Sequence, residues 1–375
     1  MIIKTITCHD VYNYGASLQA YALQSHLISL GHDVQIIDYK PEYLNRSYNF
    51  WYIPKDSRYY KKCERNVLFH FLFSLRLSLV TFRTYGRIKP FKKFKEQYLK
   101  CTQTVYKNIE DLRKNSPESD IYIAGSDQIW NTNLPNGHDP AFYLDFGESE
   151  IKRISYAASF AISKLQDSDK TEIAKYLSRL DAISVREKSG LSILQELRFN
   201  GTQVLDPVFL LSEDKWRSLA SDVPIVKGNY ILVYHLFSDN VEIENMAVKY
   251  AKLNNVKIVS INDKLPRAYA DINISNAGPI EFVNLILHAH YVIADSFHAT
   301  AFSTILSRPF SVFYKNRNSS RIEDFLQSIG LYKCYNPQEL VLDFNWTQVH
   351  RDLDIQIDKS IKYLDNELNS IQRRK

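Results

Sequence analysis

Four short polar clusters, each directly after a run of apolar residues, hold the side chains best suited to chemistry in this sequence. The sharpest is Asp295-Ser296-Phe297-His298-Ala299-Thr300, which follows the run Tyr291 to Ala294. Ser296 is of the type that caps a helix N-terminus, so His298 falls in a first turn whose free backbone N–H groups face outward. An imidazole there suits a proton donor working beside a bound anion; packing or capping is the other use of a lone histidine. Lys315, Arg317 and Arg321 follow the next apolar run and would add a cationic wall. Ser184-Val185-Arg186-Glu187 puts Arg186 at a strand end. A guanidinium there either holds a carboxylate or phosphate with paired hydrogen bonds or forms an ion pair with Glu187 or a neighbouring helix.

Two further clusters are less specific. In Gly125-Ser126-Asp127-Gln128-Ile129-Trp130-Asn131, Asp127 could take a proton from a hydroxyl and Trp130 could stack on a sugar; an Asx turn with a core indole reads equally well. In His9 to Ala16, Asn13 and Gly15 join a strand to a helix N-terminus, where an anion or a sugar hydroxyl would meet free N–H groups, unless the glycine serves only a tight turn. The single glycine excludes both G-x-G-x-x-G and the P-loop. His288 and His290 form an H-x-H pair without a third spaced ligand, so no metal site is expected.

The elements that must position these groups alternate between short β-branched runs and helical stretches, as in βαβ units with parallel sheets. The strands Ile2 to Thr7 and Val34 to Tyr39 flank a helix over Ala16 to Leu30 that Gly31 caps. Further strands are expected at Ile121 to Ala124, Ile154 to Ala158, Ala182 to Val185 and Gln203 to Leu205. A second α/β series runs from Tyr230 to Ile329, after a linker over Ser212 to Gly228. The expected organisation is an N-terminal α/β domain over 1–211, interrupted by an insertion at about 46–105, a C-terminal α/β domain over 212–345, and a helical tail over 346–375. Two such halves facing a cleft would bind ligands at their strand C-terminal ends.

With 375 residues, 45% of them hydrophobic and 24% charged, the chain can build a large core and is not a disordered or coiled-coil protein. Its four scattered cysteines describe neither a zinc site nor a disulfide framework and fit a reduced, cytoplasmic setting. The net charge of +5 conceals an asymmetry. Arg46 to Lys100 holds 14 Lys or Arg against 3 Asp or Glu, a local +11, which leaves the rest of the chain at −6. Aromatics interleave with these bases, so the segment would either lie on anionic headgroups or dock as a helical insertion with a solvated basic face. No nucleic-acid motif accompanies the charge. The start lacks a signal peptide's apolar core, and Val67 to Phe82 is interrupted and too short to span a bilayer.

Taken in order, several stretches resemble the polysaccharide pyruvyl transferase family: Asn13-Tyr14-Gly15-Ala16-Ser17-Leu18-Gln19-Ala20, Ile37-Asp38-Tyr39, Gly125 to Asn131, Ile154 to Ser159, Ser184 to Glu187, Asp206-Pro207-Val208 and Asp295 to Ala299. The resemblance implies a GT-B-like fold of two Rossmann-like domains. It also implies phosphoenolpyruvate as donor and a sugar diol of a capsular or exopolysaccharide precursor, often lipid-linked, as acceptor, giving a pyruvyl ketal. Phosphoenolpyruvate is then a co-substrate, and no cofactor is expected. Family logic places the donor on Arg186 and His298; the ketal chemistry then assigns Asp127 to orient or deprotonate the acceptor, and Asn13, Gly15, Ser126, Trp130 and Ser296 are the remaining candidates to line the site. Many members carry Arg-Leu-His where this chain has Ser296-Phe297-His298, so either Lys315, Arg317 or Arg321 supplies the missing charge or the donor contacts differ. A lipid-linked acceptor would place the enzyme at the inner face of the cytoplasmic membrane. The rival expectations are a nucleotide-sugar glycosyltransferase on the same fold and a non-catalytic glycan-binding or membrane-docking protein.

Overall fold

The computed structural model describes residues 1–44, 59–81, 85–236, 240–262, 266–314 and 320–372. Its first half contains β1 (Ile2–Ile6), α1 (Tyr14–Ser29), β2 (Asp33–Tyr39), α2 (Tyr60–Arg65), α3 (Val67–Thr81), α4 (Tyr85–Tyr98), β3 (Cys101–Tyr106), α5 (Ile109–Lys114), β4 (Ile121–Ala124), β5 (Lys152–Ser155), α6 (Asp167–Leu177), β6 (Ser184–Val185), α7 (Lys188–Glu196) and β7 (Thr202–Gln203). The second half contains α8 (Glu213–Ala220), β8 (Tyr230–Tyr234), α9 (Val241–Asn254), β9 (Lys257–Ile261), β10 (Ile272–Ile274), α10 (Pro279–Leu287), β11 (Tyr291–Ala294), α11 (Phe297–Ile305), β12 (Phe310–Val312), α12 (Ser320–Ser328) and α13 (Trp346–Gln372).

Two five-stranded parallel sheets result, ordered β3-β2-β1-β4-β5 and β10-β9-β8-β11-β12, with β6 and β7 forming a small pair beside the first. Both sheets reverse direction at the middle strand, β1 or β8. The first crevice therefore opens between β1 and β4 and the second between β8 and β11. Three of the four chemical clusters emerge at these two points, and the Arg186 loop leaves β6 beside them.

The strands are short and apolar on both faces, as buried parallel strands must be: β4, β8 and β11 are buried throughout. One continuous core joins the halves. Tyr14, Leu18 and Tyr21 of α1 and Phe91 and Phe94 of α4 pack with Phe282 of α10 and Phe302 of α11. Tyr14 stacks on Phe282 at 4.5 Å between ring centroids. The predicted tail returns as α13 to the first sheet, burying Leu364 and Leu368 against Ile3, Leu23 and Leu27, while Tyr363 donates to the Ser155 carbonyl at 3.0 Å.

Three expectations need correction. Ser212 to Gly228 is not a plain linker, because Ser212 caps α8, which buries Trp216 with its Nε1 donating to the Val208 carbonyl at 3.0 Å. The insertion ends before Cys101, where β3 forms the sheet edge. Phe91 and Phe94 face the core between the halves rather than lipid. Among the described residues no helix is long and apolar enough to cross a membrane.

Candidate functional site

α1 begins at Tyr14, earlier than its sequence pattern indicates, because the Asn13 side chain caps it by accepting from the Ala16 N–H at 3.1 Å. Gly15 therefore lies in the first helical turn, and its role is not a tight turn. Across the cleft Ser296 caps α11 through the Ala299 N–H at 3.5 Å. Two helix N-termini thus point at one cavity of about 100 Å³, lined by Asn13, Gly15, Asp127, Ser296, His298 and Arg321 among others. Both positive dipole ends favour an anion there.

Asp206 organises the cationic side. Fully buried after β7, it accepts from Arg186 Nη1 at 2.5 Å and from Ser126 Oγ at 3.1 Å through Oδ2, and from the Val208 N–H at 3.1 Å through Oδ1. His298 Nε2 stands 3.5 Å from the same Oδ2. Burial alone would raise the Asp206 pKa, but the His298 and Arg186 charges outweigh it and hold the carboxyl well below its ordinary range. Arg186 is correspondingly raised: the loss of solvation is outweighed by Asp206, Glu187 and Asp127. Its guanidinium also lies 4.8 Å from the Phe297 ring.

That pairing uses only part of Arg186. Its Nε, 4.0 Å from Glu187 Oε2, and its Nη2 have no hydrogen-bond partner among the described residues, nor does Nε of Arg321, although all three atoms are buried. Burial and the neighbouring Arg186 charge together lower the Arg321 pKa. Arg321 and Phe297 form the wall between the first cavity and a second of about 160 Å³, which Arg186, Lys188 and Asp206 line. Donors left unpaired in such a place carry a desolvation cost that an anion would offset.

The loop beneath is held under strain. Ala157 and Ala161 both take φ of 53°, and Glu187 Oε1 pins them by accepting from the Ser159 hydroxyl and the Phe160 and Ala161 N–H groups at 2.9–3.1 Å. Asp127, at φ 77°, also adopts the left-handed conformation that aspartate tolerates better than most residues.

The structure therefore brings together Asn13, Gly15, Asp127, Arg186, Ser296, His298 and Arg321. Ser126 sits behind them, its hydroxyl committed to Asp206. Trp130 does not reach the cleft: it is fully buried, stacks on Tyr143 at 5.3 Å and donates Nε1 to the Phe142 carbonyl at 3.0 Å. Lys315 and Arg317 lie outside the described residues. Sequence reasoning missed the roles of Asp206, Glu187 and Phe297. An Asp-Pro pair closing an apolar run downstream of Arg186 was the available signal for Asp206.

A second polar cluster ties α4 to the first sheet. Asp38 Oδ1 accepts from Lys95 Nζ and contacts His9 Nε2, both at 2.9 Å, and Lys95 also reaches Asp10 at 3.0 Å. His9, Asp38 and Cys101 are close enough together to hold a metal, but the Lys95 ammonium already occupies the Asp38 carboxylate.

A family model described as polysaccharide pyruvyl transferase matches residues 13–316. No curated protein matches the sequence. Among solved structures, UDP-N-acetylglucosamine 2-epimerase from Rickettsia bellii aligns over 100% of this chain and 97% of its own, with a TM-score of 0.50 at 13% identity. The Methanocaldococcus jannaschii UDP-GlcNAc 2-epimerase gives 0.47 at 13% identity over 95% and 93%. The Escherichia coli heptosyltransferase WaaC with ADP gives 0.40 at 10% over 95% and 100%. At 13% identity the likeness to the Rickettsia bellii structure concerns the fold alone, and with the two parallel sheets that fold is the GT-B arrangement of two α/β halves.

Proposed function

The chain belongs to the polysaccharide pyruvyl transferase family, and from that premise we propose that it moves the pyruvyl group of phosphoenolpyruvate onto two hydroxyls of a sugar in a surface-glycan precursor, capsular or exopolysaccharide, releasing inorganic phosphate. The observation that carries this reading is the set of unpaired buried N–H groups on Arg186 and Arg321 beside His298. Phosphoenolpyruvate brings a phosphate and a carboxylate, and preorganised donors are what such a pair of anionic groups requires. Arg321 supplies the charge that the family's arginine would give at position 296.

Ketal formation then proceeds by acid–base steps. His298 delivers a proton to the methylene carbon, which becomes the methyl group, while the first sugar hydroxyl adds at the adjacent carbon. The C–O bond to phosphate breaks, the second hydroxyl closes the ring, and its proton leaves with phosphate. Asp127, across the cavity from His298, takes the hydroxyl proton. Asp206 keeps Arg186 and the imidazole in place. Tyr314 also lines a wider cavity of about 570 Å³ with Asn245, Lys249 and Gln338, which gives the remaining sugars of an acceptor room beyond the donor site.

Phosphate release from phosphoenolpyruvate, measured with lipid-linked oligosaccharides from the producing cell, tests the reading. His298→Ala and Arg186→Ala should each abolish it. Wild-type turnover in both variants would overturn the assignment. Thermal stabilisation by nucleotide sugars but not by phosphoenolpyruvate would point instead to a glycosyltransferase on the same fold.

A further inference from the structure

α2 and α3 of the basic insertion pack on each other through a small aromatic cluster. Tyr59 lies 5.1 Å from Phe73 and 6.4 Å from Phe69, Lys62 Nζ sits 4.4 Å over the Phe69 ring, and Cys63 is buried beneath. This uses only one side of α3. Val67, Leu68, Phe71, Leu72 and Leu75 are 75%, 67%, 42%, 54% and 42% exposed. At about 100° per residue they occupy one arc roughly 140° wide, with Phe69 and Phe73 on the opposite side. Five adjacent large apolar side chains in water are not the scattered exposure ordinary for a surface.

The charge around the arc selects its partner. From Val67 to Lys95 there is no Asp or Glu. Lys61 and Arg65 on α2 and Lys89, Lys92 and Lys93 on α4 are exposed and outnumber the exposed Glu64 and Glu96 of the same helices. Two copies of this face brought together would set bases against bases, whereas an anionic lipid surface neutralises them and takes the apolar arc between its headgroups. A helix of 15 residues is too short to span a bilayer and long enough to lie in its interface.

We propose that α3 is a membrane-surface anchor, inserting Val67, Leu68, Phe71, Leu72 and Leu75 into an anionic bilayer interface while the exposed Lys61 and Arg65 of α2 and Lys89, Lys92 and Lys93 of α4 contact lipid phosphates. Phe91 and Phe94 of α4 take no part, being used in the core, so the anchor is α3 and its basic rim rather than the whole segment. α4 connects this anchor to the site, since Phe91 touches both Tyr12 and Tyr14.

Co-sedimentation of the full chain with vesicles tests the proposal. Binding to an equal mixture of phosphatidylglycerol and phosphatidylcholine should exceed binding to phosphatidylcholine alone by at least about tenfold, and salt should weaken it. Leu68→Ser with Leu72→Ser should lower binding about tenfold or more at unchanged vesicle-free Tm, because both side chains are exposed. Lys61→Glu with Arg65→Glu should remove the preference for anionic lipid. Equal binding to both vesicle types, or binding indifferent to the leucine changes, would overturn it. So would sedimentation velocity showing a dimer that the leucine changes dissociate, which would make the arc a self-interface.

Discussion

The imidazole of His298 rests directly on the backbone of Gly15: a β-carbon at position 15 would stand 1.9 Å from Nδ1 and 2.2 Å from Cε1. The heads of α1 and α11 approach this closely only because position 15 has no side chain. Gly15→Ala is ordinarily favourable inside a helix by up to about 1 kcal/mol, so folding should survive it. The histidine must move, however, and a displacement of about 1 Å at a reacting group costs on the order of a hundredfold in rate. The expected result is a Tm within a few degrees of wild type and turnover reduced about a hundredfold. Wild-type turnover would show that His298 does not need this position.

Arg321 should reveal itself by opposite effects on stability and binding. Its charge is buried beside Arg186 without a full set of partners, so Arg321→Gln should leave the ligand-free Tm unchanged or higher. The same change removes charge-assisted hydrogen bonds worth about 1.5–3 kcal/mol each. Affinity for phosphoenolpyruvate, read from the ligand-induced rise in Tm, should fall about ten- to a hundredfold. An unchanged affinity would remove Arg321 from the anion site.

The head of α11 was legible in the sequence because its signal is local: Ser296 is a capping residue close behind an apolar run, and Gly31, at φ 83°, ends α1 where a cap was expected, whereas the cap at Asn13 lies in a polar loop away from its strand. The parallel sheets were legible for the same reason, as runs such as Tyr291 to Ala294 are apolar on both faces. What could not be read depends on partners distant in sequence. Asp206 acquires its role from Arg186 on one side and His298 on the other. Trp216 makes a helix of an apparent linker because Phe302 and the Val208 carbonyl are there to receive it. A loop indole suits a sugar platform and a core equally well, and for Trp130 the Phe142 carbonyl and the Tyr143 ring decide between them.

Trp130→Phe separates these two uses. The smaller ring still packs against Tyr143 but leaves the Phe142 carbonyl without its donor, a loss of about 1–3 kcal/mol. Chemical denaturation should register that loss while KM for the acceptor stays unchanged. A tenfold rise in KM at full stability would return Trp130 to the binding surface.

Asp206→Asn should be among the most costly single changes in the chain. It withdraws the negative partner from buried Arg186, and breaking a buried ion pair costs about 3–5 kcal/mol. The pKa of Asp206 is depressed in the folded state, so its stabilisation is present above its ordinary value of 3.8 and lost on acidification below it. The variant should therefore show a lower denaturation midpoint near neutrality and a flatter acid limb. Wild-type stability in the variant would mean that Asp206 does not hold the cluster together.

The clamp between α4 and the first sheet should weaken in the opposite direction of pH. Burial would lower the His9 pKa, but its hydrogen bond to Asp38 and its interactions with Cys101 together outweigh burial and raise it from 6.5 to about 9. The folded protein therefore holds a proton that the unfolded chain releases between those values. The associated stability is complete below pH 6.5 and is lost as pH rises through about 9. At ~1.4 kcal/mol per pKa unit the loss amounts to roughly 3 kcal/mol. Asp38→Asn removes the largest of the raising contributions, so stability measured by denaturant titration should fall across this window in the wild type and fall distinctly less in the variant. Because α4 also packs on Tyr12 and Tyr14 at the mouth of the site, turnover should decline over the same range in the wild type. Parallel stability curves for the two proteins would show that His9 does not carry the pH dependence.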